Sequence, residues 1–160
     1  MCPIEVFYWA EGPTDRAAAR RLISAAGAIP GADYSKRTGA AAGKDYLDAN
    51  IHRFNAAAAH KCWLVLRDSD GVCAKDLVHH LIAEPSPLMR LRIVVPAIEA
   101  WLMADRDVLA DYLAVSVARI PAEPEGILDI KERLVEIVSH SRSRSIREEM
   151  LPAMRSGRRQ

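Results

Sequence analysis

The feature that most constrains this chain is the apolar run Cys62-Trp63-Leu64-Val65-Leu66, which gives way abruptly to Arg67-Asp68-Ser69-Asp70. A short apolar run of this kind reads as a buried strand. Its sudden acidic end means that the strand delivers carboxylates to the rim of a sheet. Open α/β sheets carry their chemistry at that rim. A second delivery lies upstream. Residues 4–10 alternate in a β-favouring pattern and run into Glu11-Gly12-Pro13-Thr14-Asp15.

Between and after these runs the hydrophobic period changes to that of helices. Thr14 is an expected N-cap for a helix over 15–26, with Ala18, Leu22 and Ala25 on one face and Gly27 ending it. Residues 29–37 read as a loop with a weak strand. A helix is expected over 45–59 with Leu47, Ile51 and Phe54 inward. Another is expected over 74–83, with Leu77, Val78, Leu81 and Ile82 as its apolar face. A short strand over 91–95 leads through Pro96 to a helix over 97–104. Asp105-Arg106-Asp107 caps a further helix with Val108, Leu109, Tyr112 and Leu113 inward, and Ile130, Leu134, Ile137 and Val138 mark a last one over 129–139. Strands alternating with helices predict an α/β fold of Rossmann-like kind, a mostly parallel sheet with helices on both faces and a helical C-terminal part. The 160 residues fit one domain, with an α/β core over 1–95 and a helical extension over 96–160.

Composition narrows the function classes. A formal net charge of +1 gives no global field that favours nucleic acid, although six arginines against two glutamates from His140 onward make a basic tail. Cys2, Cys62 and Cys73 are odd in number and widely spaced, which suits neither a disulfide framework nor a zinc knuckle. No apolar stretch is long enough to span a bilayer, and the expected compartment is the cytoplasm. The segment Thr38-Gly39-Ala40-Ala41-Ala42-Gly43-Lys44 has the look of a P-loop. It has three residues between its glycines instead of four, and Asp45 stands where Ser or Thr belongs, so it reads as a loop feeding a helix.

Glu11, Asp68 and Asp70 are the residues that suggest chemistry. Carboxylates gathered at strand ends repel one another unless a cation lies between them. Mg²⁺ or Mn²⁺ suits such oxygen donors, can activate a water, and can neutralise a phosphoryl oxygen. Zinc fits less well, because His79 and His80 are adjacent on a helix and diverge by about 100°. Glu99, one short turn past the fourth strand, is a further candidate ligand, with a favourable place at a helix start as the alternative. By itself Lys131 reads as a surface lysine pairing with Glu132 or Asp129. Arg67 could hold a phosphate or pair with a neighbouring acid.

The order strand, Glu-Gly, helix, and a later strand ending in Asp-x-Asp resembles the Toprim domain shared by topoisomerases, bacterial primases and OLD-family nucleases. That resemblance covers residues 4–95. It implies Glu11 as general acid/base and metal contact, and Asp68 and Asp70 as Mg²⁺ ligands. Glu11 to Asp15, Leu66 to Asp70 and Ile98-Glu99-Ala100-Trp101-Leu102-Met103-Ala104-Asp105 also resemble small stand-alone bacterial Toprim-like proteins, some found near anti-phage defence genes. Pro124-Glu125 and Asp129-Ile130-Lys131 fit the same pattern. Only the resemblance to OLD-family nucleases implies a role for Lys131 in stabilising a phosphate transition state. The resemblance implies a Mg²⁺- or Mn²⁺-dependent nuclease acting on nucleic acid, with no membrane association and with a protein partner from a defence system as an option. Two rivals stand beside it. In a haloacid-dehalogenase-like phosphatase Asp68 would be the nucleophile and Asp70 the acid/base. In a non-catalytic Toprim-like binding module neither would react.

Overall fold

Four strands, β1 (Glu5–Trp9), β2 (Ile29–Asp33), β3 (Cys62–Asp68) and β4 (Met89–Val94), form one sheet in the order β2-β1-β3-β4, and every neighbouring pair is parallel. This is the α/β architecture expected from the sequence. The computed structural model describes residues 3–35, 43–127 and 129–151. Parallel neighbours need crossover connections, and here these are helical: α1 (Pro13–Ala25), α2 (Lys44–Ala57) and α3 (Ala74–Leu81). Among the described residues, no helix is long and apolar enough to cross a membrane.

Alternation along the strands sends successive side chains to opposite faces. Trp9, Trp63, Val65, Met89 and Leu91 share a core with Leu47, Ile51 and Phe54 of α2, with Ala58 just past it, and with Ile82 just past α3. Trp63 is its centre, stacked on Phe54 with ring centroids 5.0 Å apart and packed against Tyr34 at 4.7 Å. The inward residues of α2 are those the helical period picks out. α1 covers other strand positions and buries Asp15, Ala19 and Ile23. The expected stripe of Ala18, Leu22 and Ala25 is one position out of phase, and Leu22 is 43% exposed. The helix starts at Pro13, with Gly12 as its N-cap rather than Thr14. β4 is an edge strand whose Arg90 and Arg92 are exposed. Their guanidiniums turn back onto the carbonyls of Met89 (2.8 Å) and Leu91 (3.0 Å).

The chain divides into two compact units, residues 1–98 and 99–160. The second is helical, with α4 (Ile98–Leu102) at its start, then α5 (Arg106–Leu113), α6 (Ile130–Ser139) and α7 (Arg144–Met150). Met103, Leu113, Ile120, Ile130, Ile137 and Val138 are all buried in it. Asp105 caps α5 as expected, accepting from the Val108 amide at 3.2 Å. Val108 and Tyr112, expected inward, are 64% and 60% exposed, while Ala110 and Leu113 are buried. The helix α7 was not anticipated from the sequence. In the basic tail, Arg142 and Arg147 donate to the carbonyls of Ala114 and Ser141, and Arg144 pairs with Glu148 at 2.6 Å. These arginines therefore have partners within the unit itself. Arg155, Arg158 and Arg159 lie outside the described residues.

Candidate active site

The sheet order settles where its rim can carry chemistry. From β1 the chain moves to one side to form β2, then crosses back over β1 to form β3 on the other side. The crevice between β1 and β3 is thus the topological switch point, the place where open parallel sheets bind ligands. Both strand ends that flank it carry a candidate acid. Trp9 is paired with Val65; Glu11 follows the first by two residues and Asp68 follows the second by three.

Local structure explains the residues around Glu11. Asp15, at the third position of α1, accepts a hydrogen bond from the Gly12 amide at 3.0 Å, which closes the helix start against the strand end. A Cβ on Gly12 would stand 2.7 Å from Asp15 Oδ2, so the glycine is there for close approach and not for a left-handed turn. Pro13 suits the first helical position, where no amide donor is needed. The Glu11 carboxylate reaches the start of α2, where a Cβ on Gly43 would lie 3.7 Å from Oε1. A helix N-terminus favours negative charge.

At the other strand end the two aspartates part company. Asp68 is 4% exposed and Ser69 1%, whereas Asp70 is exposed. The Ser69 amide is held by the carbonyls of Val94 (2.8 Å) and Pro96 (3.2 Å). Asp70 and Gly71 then both take left-handed backbone, with φ of 49° and 80°. Aspartate tolerates that region better than most residues and glycine meets no penalty in it, so the Asp-x-Asp-Gly sequence is what this turn requires.

Arg67 ties the turn to α2. Its Nε and Nη2 grip Asp48 Oδ1 and Oδ2 at 3.2 and 3.1 Å, and its Nη1 donates to Asp70 Oδ2 at 2.7 Å and to the Asp68 carbonyl. The side chain is 7% exposed. Of the two options left open for Arg67, the structure holds the ion pair with neighbouring acids. Asp70 Oδ2 receives a second cation, Lys44 Nζ, at 3.0 Å. Partial burial would push the Asp70 carboxyl upward, but its hydrogen bonds from Lys44 and Arg67 outweigh that and hold it below the usual carboxylate value. Lys44 is held above its ordinary value, first by the hydrogen bond to Asp70 and then by the charge of Asp70, with a smaller contribution from Glu11.

Alternation along β3 puts Asp68 on the face opposite Arg67. Among the described residues, no three His, Cys, Asp or Glu side chains come together in a group that could hold a metal. Glu99 belongs to the second unit, in α4, with its Oε2 buried and without a hydrogen-bond partner among the described residues. Lys131 is in that unit too, exposed near the start of α6. Pro124 and Glu125, with Ala100, Trp101 and Ala104, line an open cavity of about 610 Å³ there.

Sequence reasoning missed Lys44 and Asp48. Both lie in the P-loop look-alike or just after it; Thr38 to Ala42 are outside the described residues, whereas Gly43 and Lys44 begin α2. A signal was present. A helix that crosses between parallel strands starts at the carboxyl rim, so its first turn faces the site, and residues at i and i+4 share a helix face. Comparison with known proteins finds no matching family model, no matching curated protein and no matching solved structure.

Proposed function

We propose that the rim between β1 and β3 is a Toprim-type site for Mg²⁺- or Mn²⁺-dependent cleavage of phosphodiesters in nucleic acid. The observation that carries this reading is that Glu11 and the Asp68 turn end neighbouring parallel strands on either side of the switch point. The donor set suits a hard cation, because Mg²⁺ commonly takes one or two carboxylates and fills its remaining positions with waters and substrate phosphates. In this reading Glu11 and Asp68 would hold it, with Asp70 adjoining. A cation bound there would supply charge neutralisation at a phosphoryl oxygen and an activated water.

The chain's own residues have separate tasks. Glu11, half-buried at the α2 N-terminus, moves the proton as general acid/base. Arg67 holds the Asp70 turn in place through α2. The reaction would be cleavage of plasmid DNA or structured RNA by the full chain in Mg²⁺ or Mn²⁺. Glu11→Gln and Asp68→Asn are expected to lower the rate by about a hundred-fold or more while both variants stay folded. Undiminished cleavage by either variant would sink the proposal. Release of phosphate from small esters without any nucleic-acid cleavage would favour the phosphatase instead. A specific observation supports a second reading, a binding module without catalysis: Asp70 is already neutralised by two cations of the protein itself. A chain that cleaves nothing and takes up no divalent cation would fit that reading. A partner in anti-phage defence, on the resemblance alone, and action in the cytoplasm, on the cysteine usage, complete the proposal.

A further inference from the structure

The three arginines of α1, Arg16, Arg20 and Arg21, differ in how they are used. Arg16 donates to the Glu11 carbonyl at 3.3 Å and pairs with Asp33 at 3.8 Å. Asp33 is also engaged by Ser35, whose amide donates to it at 3.0 Å. Arg20 and Arg21 are exposed, and among the described residues neither makes a hydrogen bond or an ion pair. Both line an open cavity of about 360 Å³, together with Ala17 and Ser24 of α1 and Pro30 of β2. Residues 17, 20, 21 and 24 follow the i, i+3, i+4, i+7 stripe of a helix, so one face of α1 builds the hollow against β2. Arg20 and Arg21 diverge by about 100° around the axis and approach it from two sides. Ala17 and Ser24 are too small to fill it.

Two uncompensated guanidiniums and a hydroxyl around one hollow are a donor set for phosphate oxygens. The lining has no aromatic or large apolar side chain that could hold a base or a hydrocarbon. Because the hollow is open, a chain that carries the phosphate can continue past it. α1 starts at Pro13, just after Glu11, and Arg20 and Arg21 lie about 10–12 Å further along its axis. A DNA strand covers that distance in about three nucleotides. We propose that Arg20, Arg21 and Ser24 form a backbone-phosphate anchor for a nucleic-acid strand, separate from the carboxylates of the rim. The anchor takes its ligand class from the nucleic-acid reading above, and it needs neither a divalent cation nor cleavage. Phosphate contacts carry no sequence information, so it fixes where the strand lies and not which sequence it has.

The test is binding of a fluorescein-labelled DNA duplex to the full chain, read by fluorescence anisotropy in EDTA so that no divalent cation contributes. Wild type is compared with Arg20→Gln/Arg21→Gln and with Arg53→Gln/Arg90→Gln, which removes the same charge from exposed positions of α2 and β4. Circular dichroism confirms that each is folded. Arg20→Gln/Arg21→Gln is expected to bind about ten-fold more weakly at about 50 mM salt. The slope of log K against log salt should shrink by about 1.8, for two contacts at about 0.9 each. Arg53→Gln/Arg90→Gln should stay within about two-fold of wild type. Equal losses in the two double variants would mean diffuse charge and overturn the anchor. Undiminished binding by Arg20→Gln/Arg21→Gln, alongside clear binding by wild type, overturns it as well and leaves the nucleic-acid reading standing. No duplex binding by wild type removes both; calorimetric uptake of tripolyphosphate, lost in Arg20→Gln/Arg21→Gln, would then give the cavity to a free polyphosphate instead of a strand.

Discussion

Gly12 shows how much one missing methyl can settle. The residue after Glu11 must let the Asp15 carboxylate reach its amide, and a Cβ at 2.7 Å from Oδ2 forbids that. Gly12→Ala is expected to destabilise the protein by about 1 kcal/mol, the usual worth of a helix N-cap, in urea unfolding followed by circular dichroism. Asp15→Ala should cost about the same. The double variant should be no worse than either alone, because both remove one interaction; additive losses would show that the two residues act separately. At this scale the sequence was most legible where chemistry and backbone agree. The acids at Glu11, Asp68 and Asp70 stand out because charge interrupts an apolar run. Lys44 did not stand out, because the run around it imitates a phosphate loop and its partner Asp70 is far away along the chain. The difference between buried Asp68 and exposed Asp70 was hidden as well, since it arises from a left-handed turn that the letters alone do not display.

Among the elements, α1 and α2 make an instructive pair. α2 carries large apolar residues at helical spacing, so Leu47, Ile51 and Phe54 could face only one way. α1 is rich in alanine and arginine, and alanine marks no face strongly. Its rotation is set by the buried Asp15 cap, which brings Ala19 and Ile23 inward and leaves Leu22 outside. Ile23→Ala should therefore cost about 2–5 kcal/mol, as removal of a buried aliphatic side chain does. Leu22→Ala should stay within about 0.5 kcal/mol of wild type. Equal losses in thermal or urea unfolding would put the stripe back where the periodicity suggests. The outward Val108 and Tyr112 of α5 teach the same lesson from the other side. Apolar residues at suitable spacing need a surface to meet, and the sequence does not name it.

For the whole molecule, strand order is the property that matters and the one hardest to read. Alternating strands and helices predict a parallel sheet, but several orders satisfy that pattern. The observed order, β2-β1-β3-β4, puts β1 beside β3 and brings Glu11 and the Asp68 turn to one crevice. The order follows from which buried faces meet. Trp9 of β1, Trp63 of β3 and Phe54 of α2 belong to one core that lies wholly within residues 1–98. A fragment ending at Ile98 is therefore expected to fold by itself and to unfold cooperatively, with Trp9 and Trp63 reporting burial by fluorescence. A gradual, non-cooperative melt would show that this unit depends on the remainder of the chain.

An open parallel sheet has two sides where another chain could lay down a strand and continue the ladder, and such sides are where soluble proteins begin to aggregate. On β4 the carbonyls of Met89 and Leu91 already accept from the guanidiniums of Arg90 and Arg92. An incoming backbone would have to evict two charged donors before it could pair. The expected consequence is less edge-to-edge association at this border as the protein is concentrated.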